Sequence, residues 1–423
     1  MRKHRIRVWT MVWIIAIGLL LPALAAEERE IINVPVIGIN GFDWVPSHPA
    51  WAAGAAWVED GVTMVPAEEF FQTLAGRSLL TPAGVLTRWD EDGRNEFRVT
   101  WGYDHALLLT PGAETMRVDG REVALPLPAR FEDGVFCVPL RAVAEALGMT
   151  VSWSGIPEVS FPKTQVTVDS LEDLFNAVAP DTEITLALGE YSCGELDLAK
   201  IDNPYVEISY DVFDTATGLW GTGAVWEAVI RDVRDLTIVA EGCRISTPWA
   251  YADVWRFAGC DRLRMKGGLA VHDVEPGYCV GNCVELEDCR GVYLRDVVMD
   301  GSGAYGLCAN SSRQVELDQC TIQNCTYGAV SLSNCQDMEL WMCRVADCRD
   351  CFALVGSDET RDVRIRYCTF ENNSADSLTA CDGRNLVFGH CTFRDNTFGQ
   401  VQKYGWQSSG GAAFFECTWL DEE

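Results

Sequence analysis

Along residues 313–423, apolar and polar residues alternate with period 2 in short blocks, and one block returns five times. The copies begin at Val315-Glu316-Leu317-Asp318-Gln319-Cys320-Thr321-Ile322 and Met338-Glu339-Leu340-Trp341-Met342-Cys343-Arg344-Val345. They continue with Val363–Phe370, Leu386–Phe393 and Ala412–Trp419. The cysteines fall at 320, 343, 368, 391 and 417, giving periods of 23, 25, 23 and 26 residues. A unit this short cannot bury its own apolar face and must stack on copies of itself. Period 2 is the signature of strand rather than helix. Three short strands per repeat predict a parallel β-helix, a mainly β solenoid. In it Cys320, Cys343, Cys368, Cys391 and Cys417 point inward as a column, with rungs about 4.8 Å apart. Asn324, Asp347, Asn372 and Asp395 recur at the second turn of each copy, where stacked side chains can serve neighbouring backbone groups, and they read as a structural ladder.

The preceding half has a different rhythm. Glu59-Asp60-Gly61-Val62-Thr63-Met64-Val65-Pro66 followed by Ala67–Gly76 returns as Glu132-Asp133-Gly134-Val135-Phe136-Cys137-Val138-Pro139 followed by Leu140–Gly148, offset by 73 residues. Each copy predicts an Asp-Gly turn, a short strand and an amphipathic helix stopped by glycine. In the second helix Val143, Ala146 and Leu147 form the expected buried stripe, and Val151-Ser152-Trp153 follows as a strand. Further on, Ser170-Leu171-Glu172-Asp173 opens a helix with a capping-box pattern, with Leu171, Leu174, Phe175 and Val178 on one face. A helix there would cover the open end of the solenoid, whose first strands lie in Asp181–Gly194.

Two resemblances rest on these residues. Met116-Arg117-Val118-Asp119-Gly120-Arg121, Val138-Pro139-Leu140-Arg141-Ala142-Val143 and Val151-Ser152-Trp153 resemble the copper amine oxidase N-terminal-like, or stalk, domain over residues 30–155. That resemblance implies a small α+β appendage of secreted and cell-surface bacterial proteins. The copper-binding histidine cluster of true amine oxidases is absent from the sequence, so no copper is expected. Residues 164–423 resemble the right-handed β-helix proteins of the pectin lyase-like superfamily, which implies the fold more specifically than any substrate.

Composition adds a compartment. Arg2, Lys3, Arg5 and Arg7, the apolar run Val8–Leu21 and Ala23-Leu24-Ala25 have the order of a secretory signal over residues 1–26, which places the protein outside the cell or at its surface. No later segment is apolar enough to span a membrane. The formal charge of −29 becomes −33 once those four basic residues are removed, which opposes nucleic acid and anionic lipid as partners. Eighteen cysteines in an exported chain raise the question of disulfides. Cys279 with Cys283, Cys289 with Cys308, and Cys348 with Cys351 are pairing candidates beside the inward column. No spacing resembles a zinc site, and calcium remains open.

Candidate chemistry lies where the coils are interrupted. Asp202–Glu227 carries Tyr205, Tyr210, Trp220 and Trp226, which either stack on sugars or pack the loop. Gly267–Cys283 carries His272, Asp273 and Tyr278 before Gly281, and one coil later come Asp300, Gly301, Gly303 and Tyr305. If these loops stack, His272, Asp273, Asp300 and Tyr305 converge on one side, and a histidine beside carboxylates can act as acid or base. His272, Asp273 and Asp300 are the catalytic candidates, and Trp220, Tyr278 and Tyr305 the substrate-binding ones. Asp347 and Asp395, two rungs apart at about 9–10 Å, fall near the separation of an inverting carboxylate pair, a geometry that any β-helix offers. The expectation is a carbohydrate-binding or scaffold protein whose partner is a polysaccharide or cell-wall glycan. The alternatives are a polysaccharide lyase or glycoside hydrolase working in the lateral groove, and an inert spacer.

Overall fold

The computed structural model describes residues 32–420 apart from 40–41, 47–55, 77–82, 89–94, 102–104, 154, 211–212, 215–218, 221–225, 275–278, 302, 351–358, 376–383 and 399–411. The signal-like segment 1–26, Tyr278, Cys351 and Cys381 lie outside the described residues. The chain forms two compact units, Met1–Pro162 and Lys163–Glu423.

In the first unit both copies of the duplicated pattern fold alike. Ala56–Glu59 and Val62–Pro66 form a hairpin leading into α1 (Ala67–Gly76), and Arg130–Glu132 and Val135–Pro139 form one leading into α2 (Leu140–Ala146). The turns are Asp60-Gly61 (φ +50° and +77°) and Asp133-Gly134 (φ +47° and +85°). Positive φ at both positions is the two-residue turn that Asp-Gly favours. The two copies meet through their second strands, which pair antiparallel with Val65 opposite Val138. The buried stripe of α2 is Leu140, Val143, Ala144 and Leu147, while Ala146 is only partly buried. Ala144 faces inward because it follows Leu140 by four residues, one helical turn. Gly148 (φ +80°) ends the helix, and the Met149 N–H donates back to the Ala144 carbonyl at 3.0 Å. A five-stranded antiparallel meander and a four-stranded sheet complete the unit around Phe70, Phe71, Phe97 and Ile39.

The second unit is a parallel β-helix of three long sheets. The first has ten strands, from Thr164–Val168 to Ala413–Phe415. The second has nine, from Glu190–Ser192 to Thr418–Leu420, and the third has six, from Val206–Ser209 to Gly328–Ser333. Nearly all pairings join consecutive coils in parallel register, such as Val315 with Met338, Met338 with Val363 and Val363 with Leu386. At the N-terminal end α3 (Leu171–Ala177) is capped by the Ser170 hydroxyl, which accepts the Asp173 N–H at 3.1 Å. Leu171, Leu174, Phe175 and Val178 of this segment are buried in the solenoid core.

The corners explain the sequence rhythm. Between the first and second sheets Gln319, Met342, Tyr367, His390 and Glu416 have φ between +50° and +56°. This left-handed step turns the chain and aims the next residue, a cysteine, inward. Each sulfur then meets a carbonyl of the preceding coil: Cys320 that of Leu294 (3.3 Å), Cys343 that of Leu317 (3.4 Å), Cys368 that of Leu340 (3.5 Å) and Cys391 that of Ile365 (3.4 Å). The Cys343 N–H in turn donates to the Cys368 sulfur at 3.3 Å. Other corners give the same task to other small polar groups. Ser312 accepts the Cys289 N–H at 3.0 Å, Thr360 accepts that of Cys335 at 3.3 Å, and Asn373 accepts that of Cys348 at 3.0 Å. A turn that would leave a buried N–H unpaired is thus satisfied at each coil. Asn324, Asp347, Asn372 and Asp395 are left-handed too (φ +52° to +58°), a conformation that asparagine and aspartate tolerate best after glycine. The Asn372 amide bonds the Asp347 carboxylate directly.

All sixteen described cysteines are free thiols, including Cys279, Cys283, Cys289 and Cys308, so neither of those two suggested bridges exists. They serve instead as small buried hydrophobes with a weak donor. Only Cys308 and Cys417 are not fully buried, and burial pushes the Cys308 thiol up to about 12. Because the thiolate is the reactive form, native protein at pH 8 is expected to take up iodoacetamide at no more than these two described positions. Denatured protein should be labelled throughout. Mass spectrometry of the alkylated peptides reads the result, and rapid native labelling of Cys343 or Cys368 would contradict the inward column.

Candidate functional site

The interrupting loops do stack, and glycines make it possible. The Val280 and Gly281 N–H groups both donate to the Ala250 carbonyl, at 2.5 and 3.0 Å, and the Ala304 N–H donates to Gly281 at 3.4 Å. A Cβ on Gly281 would collide with the Ala252 carbonyl, and one on Gly303 with the Cys279 carbonyl. The glycine pattern of this stretch is therefore explained by backbone passing close over backbone.

Stacking brings the coils of His272, Asp273 and Asp300 together without making their side chains converge. His272 is buried, and its Nε2 lies 2.8 Å from the Ala252 carbonyl, which fixes the proton on that nitrogen. Its Nδ1 has no hydrogen-bond partner. Burial holds the imidazole down at about 4, so it is neutral at physiological pH. Asp273 turns to the preceding coil and pairs with Arg244, whose guanidinium holds the carboxyl below its usual range. Asp300 turns to the following coil, where Gln323 Nε2 donates to it at 2.9 Å and Asn324 Nδ2 at 2.5 Å. The carboxylates separate because each is drawn to a donor on a different neighbouring rung.

His272 makes a measurable signature. In the unfolded chain it titrates near 6.5 and in the fold near 4. Above pH 6.5 both states are neutral and folding carries no protonation cost. As pH falls from 6.5 to 4 only the unfolded state gains a proton, so His272 withdraws stability across that window, up to about 3 kcal/mol. A ¹³C-histidine NMR titration is expected to show one resonance with a midpoint near 4. A His272 midpoint at or above 6 would show an exposed, protonatable ring.

Of the aromatic candidates, Tyr305 begins a third-sheet strand, Tyr305–Asn310, and its N–H donates to Asn282 Oδ1 at 3.2 Å. Trp220 sits in the short strand Leu219–Trp220 opposite Phe213–Asp214. Trp226 is buried edge-on against Trp249 with ring centroids 4.7 Å apart, which is packing.

The strongest polar constellation escaped the sequence reading. Glu227, Asp253 and Asn282 are buried at the starts of third-sheet strands or just before them, beside Arg256 and Glu285. Glu227 pairs with Arg256 and accepts the Asp253 N–H at 3.0 Å. Asp253 Oδ1 accepts both the Asn282 N–H (2.7 Å) and the Asn282 amide (3.1 Å), and that amide also reaches Glu285 at 3.0 Å. Burial, with Glu285 and Glu227 adjacent, raises Asp253 well above the usual carboxyl range, and burial raises Glu227 as well. The neighbouring Glu285 carboxylate and burial thus both favour the protonated form of Asp253. These partners lie 26 to 29 residues apart, one coil, so no local motif announces them. Only the strand register, which sets Arg256 beside Glu285, could have.

Outward from this cluster runs a groove of about 350 Å³ along the same sheet, lined by Glu207, Arg231, Arg256, Ala258, Glu287 and Asp288 among others. Arg256 links Glu227 to Glu287 (3.4 Å), and Arg231 links Glu207 to Asp232 (3.1 Å). The groove is a rigid polar strip whose charged ends are held by rungs of the solenoid.

Among the described residues no group of three His, Cys, Asp or Glu side chains could hold a metal ion. In the first unit the described histidine, His105, lies 2.9 Å from Asp119 through its Nδ1. No helix of the described residues is long and apolar enough to cross a membrane.

Comparison with known proteins agrees with both folds. The model of the copper amine oxidase N-terminal domain matches residues 50–159, and that of the right-handed beta helix region matches residues 266–417. No curated protein matches the chain. Among solved structures it is similar to a pectate lyase from Paenibacillus sp. 0602, with 8% identity, a TM-score of 0.35, and 61% of this chain and 78% of that one covered. It is also similar to PfbA, a surface adhesin of Streptococcus pneumoniae, with 10% identity, a TM-score of 0.34 and coverage of 62% and 83%. A third is ORF18 of Geobacillus virus E2, with 9% identity, a TM-score of 0.29 and coverage of 74% and 69%. The chain therefore carries a copper amine oxidase N-terminal domain match over residues 50–159, followed by a right-handed beta helix region over residues 266–417.

Proposed function

We propose that the protein binds glycans at the outside of the cell, with the groove on the third sheet as the ligand site. The supporting observation is the fixed strip of Arg231, Arg256, Glu207 and Glu287 on an open face. Planar carboxylates and guanidinium groups offer paired acceptors and donors that suit adjacent sugar hydroxyls, and preorganisation spares the entropy of fixing them on binding. The basic-then-apolar order of residues 1–26 supports export. Burial of the free thiols is compatible with that setting, because a protonated, inaccessible thiol oxidises slowly. In a glycan-array experiment the wild type is expected to be retained by a neutral or acidic glycan. Glu287→Ala and Arg231→Ala, both at exposed or half-exposed side chains, should weaken retention without moving the melting temperature. No retention of the wild type across the panel would remove the proposal.

A second reading, hydrolysis, draws on Asp253, a buried carboxyl that burial and the adjacent Glu285 and Glu227 raise well above the ordinary range, the direction a general acid needs. Release of reducing ends that disappears in Asp253→Asn, or in His272→Ala or Asp300→Ala with the fold intact, would favour this reading over binding alone.

A further inference from the structure

At the corner where the chain enters the first sheet, Arg290, Arg313, Gln336, Arg361 and Arg384 stand in one register column on consecutive coils. Neighbouring rungs are about 4.8 Å apart, so four guanidinium groups are strung along the stacking direction with one amide among them. Elsewhere on the β-helix arginines meet carboxylates closely, as in Arg366 with Glu339, Arg344 with Glu371, Arg262 with Asp235 and Arg244 with Asp273. The column differs. Arg290 donates to Gln314 at 3.2 Å, and Arg361 donates to Gln336 at 2.7 Å with Asp362 only at 4.0 Å. Among the described residues the guanidinium groups of Arg313 and Arg384, both exposed, have no hydrogen-bond or ion-pair partner. A groove of about 470 Å³ opens beside them, lined by Arg313, Gln336, Arg361 and Arg384 with Asn334 and a single carboxylate, Glu359.

Like charges aligned this closely repel, and nothing described within the groove offsets all three exposed guanidinium groups. In a chain of formal charge −29 the column is a local reversal of sign. We propose that it is a binding site for an acidic polysaccharide, a linear glycan carrying carboxylate or phosphodiester groups, laid along the coil axis with its anions on Arg313, Arg361 and Arg384. Guanidinium engages either anion through two parallel hydrogen bonds. The overall acidity disfavours nucleic acid, whose charge density maximises repulsion from the rest of the surface, and leaves a sparser polyanion as the better fit. This site is separate from the third-sheet groove and extends the glycan-binding reading to a charge class.

The test uses the full chain and measures affinity for polygalacturonate, a poly(glycerol phosphate), neutral dextran and single-stranded DNA. The variants are Arg313→Gln, Arg384→Gln, the triple Arg313→Gln/Arg361→Gln/Arg384→Gln, and Arg364→Gln outside the groove as a control matched in charge to the single variants. Melting curves should be unchanged for the two single variants, whose side chains carry no described partner. The expected result is binding of one or both acidic glycans that weakens with added salt. It should fall at least about tenfold in the triple variant and persist in Arg364→Gln. The polymer that responds identifies carboxylate or phosphodiester. Equal affinity of triple variant and wild type for acidic glycans overturns the proposal, as does DNA binding as tight as glycan binding. Retention of dextran alone would defeat the column and spare the third-sheet reading, whereas retention of no glycan would defeat both.

Discussion

Arg256→Ala is expected to lower the unfolding free energy by about 3–5 kcal/mol, the cost of leaving a buried charge without its partner. Glu227 is 5% exposed, and Arg256 is its counterion. With the guanidinium removed, the carboxylate keeps the Asp253 N–H but must either ionise unpaired or take up a proton. The deficit should therefore be largest near neutral pH. It should shrink as pH falls through the raised Glu227 titration, because the protonated acid no longer needs a cation. Chemical denaturation of the wild type and the variant at several pH values measures this. Glu227→Gln added to Arg256→Ala should recover part of the loss. A deficit that is flat in pH, or below about 1 kcal/mol, would mean that water reaches the pair and screens it.

Phe393→Ala is expected to cost a further, independent 3–5 kcal/mol or so, the usual range for emptying a buried aromatic site. Phe393 is stacked between Phe370 at 4.9 Å and Trp419 at 4.1 Å, and Phe388 lies at 6.1 Å. Phe370 and Trp419 belong to the adjoining coils and Phe388 to the same one, so the gap opens at one place in the stack. Because a solenoid is stabilised coil by coil through nearest neighbours, hydrogen exchange should accelerate in residues 361–420 while the strands between 182 and 272 keep their protection. A uniform loss of protection along the unit would show that the β-helix melts as one block.

Much of the fold could be read from spacing. The cysteine period set the coil length, alternation set which residues face inward, and Ser170 with Asp173 announced the covering helix. The turn pairs Asp60-Gly61 and Asp133-Gly134 marked both hairpins of the first unit. These succeed because each depends on residues close in sequence. The corner asparagines and aspartates were recognised as a ladder, but their left-handed backbone, which selects the residue type, is not visible in hydropathy. The site reading went a different way. The glycines around His272 mark interrupted coils where chemistry was sought, yet Gly281 and Gly303 are required by the carbonyls of Ala252 and Cys279 on the preceding coil. Conversely, Glu227, Asp253 and Asn282 look unremarked in the sequence, since each meets its partners only after a full circuit of the helix. Bulk charge misled locally as well, because an excess of carboxylates conceals a line of arginines gathered by register.

The corner thiols, hydroxyls and amides have one more consequence. Each satisfies only the coil directly beneath it, so among the described residues these corner groups set no fixed number of coils. A copied segment of one period, with its own left-handed step and inward small polar residue, could be spliced between Cys343 and Cys368 and find the same hydrogen-bonding sockets waiting on both sides. Growth by duplication would then lengthen the arginine line and the surface it offers, changing reach without redesigning the interior.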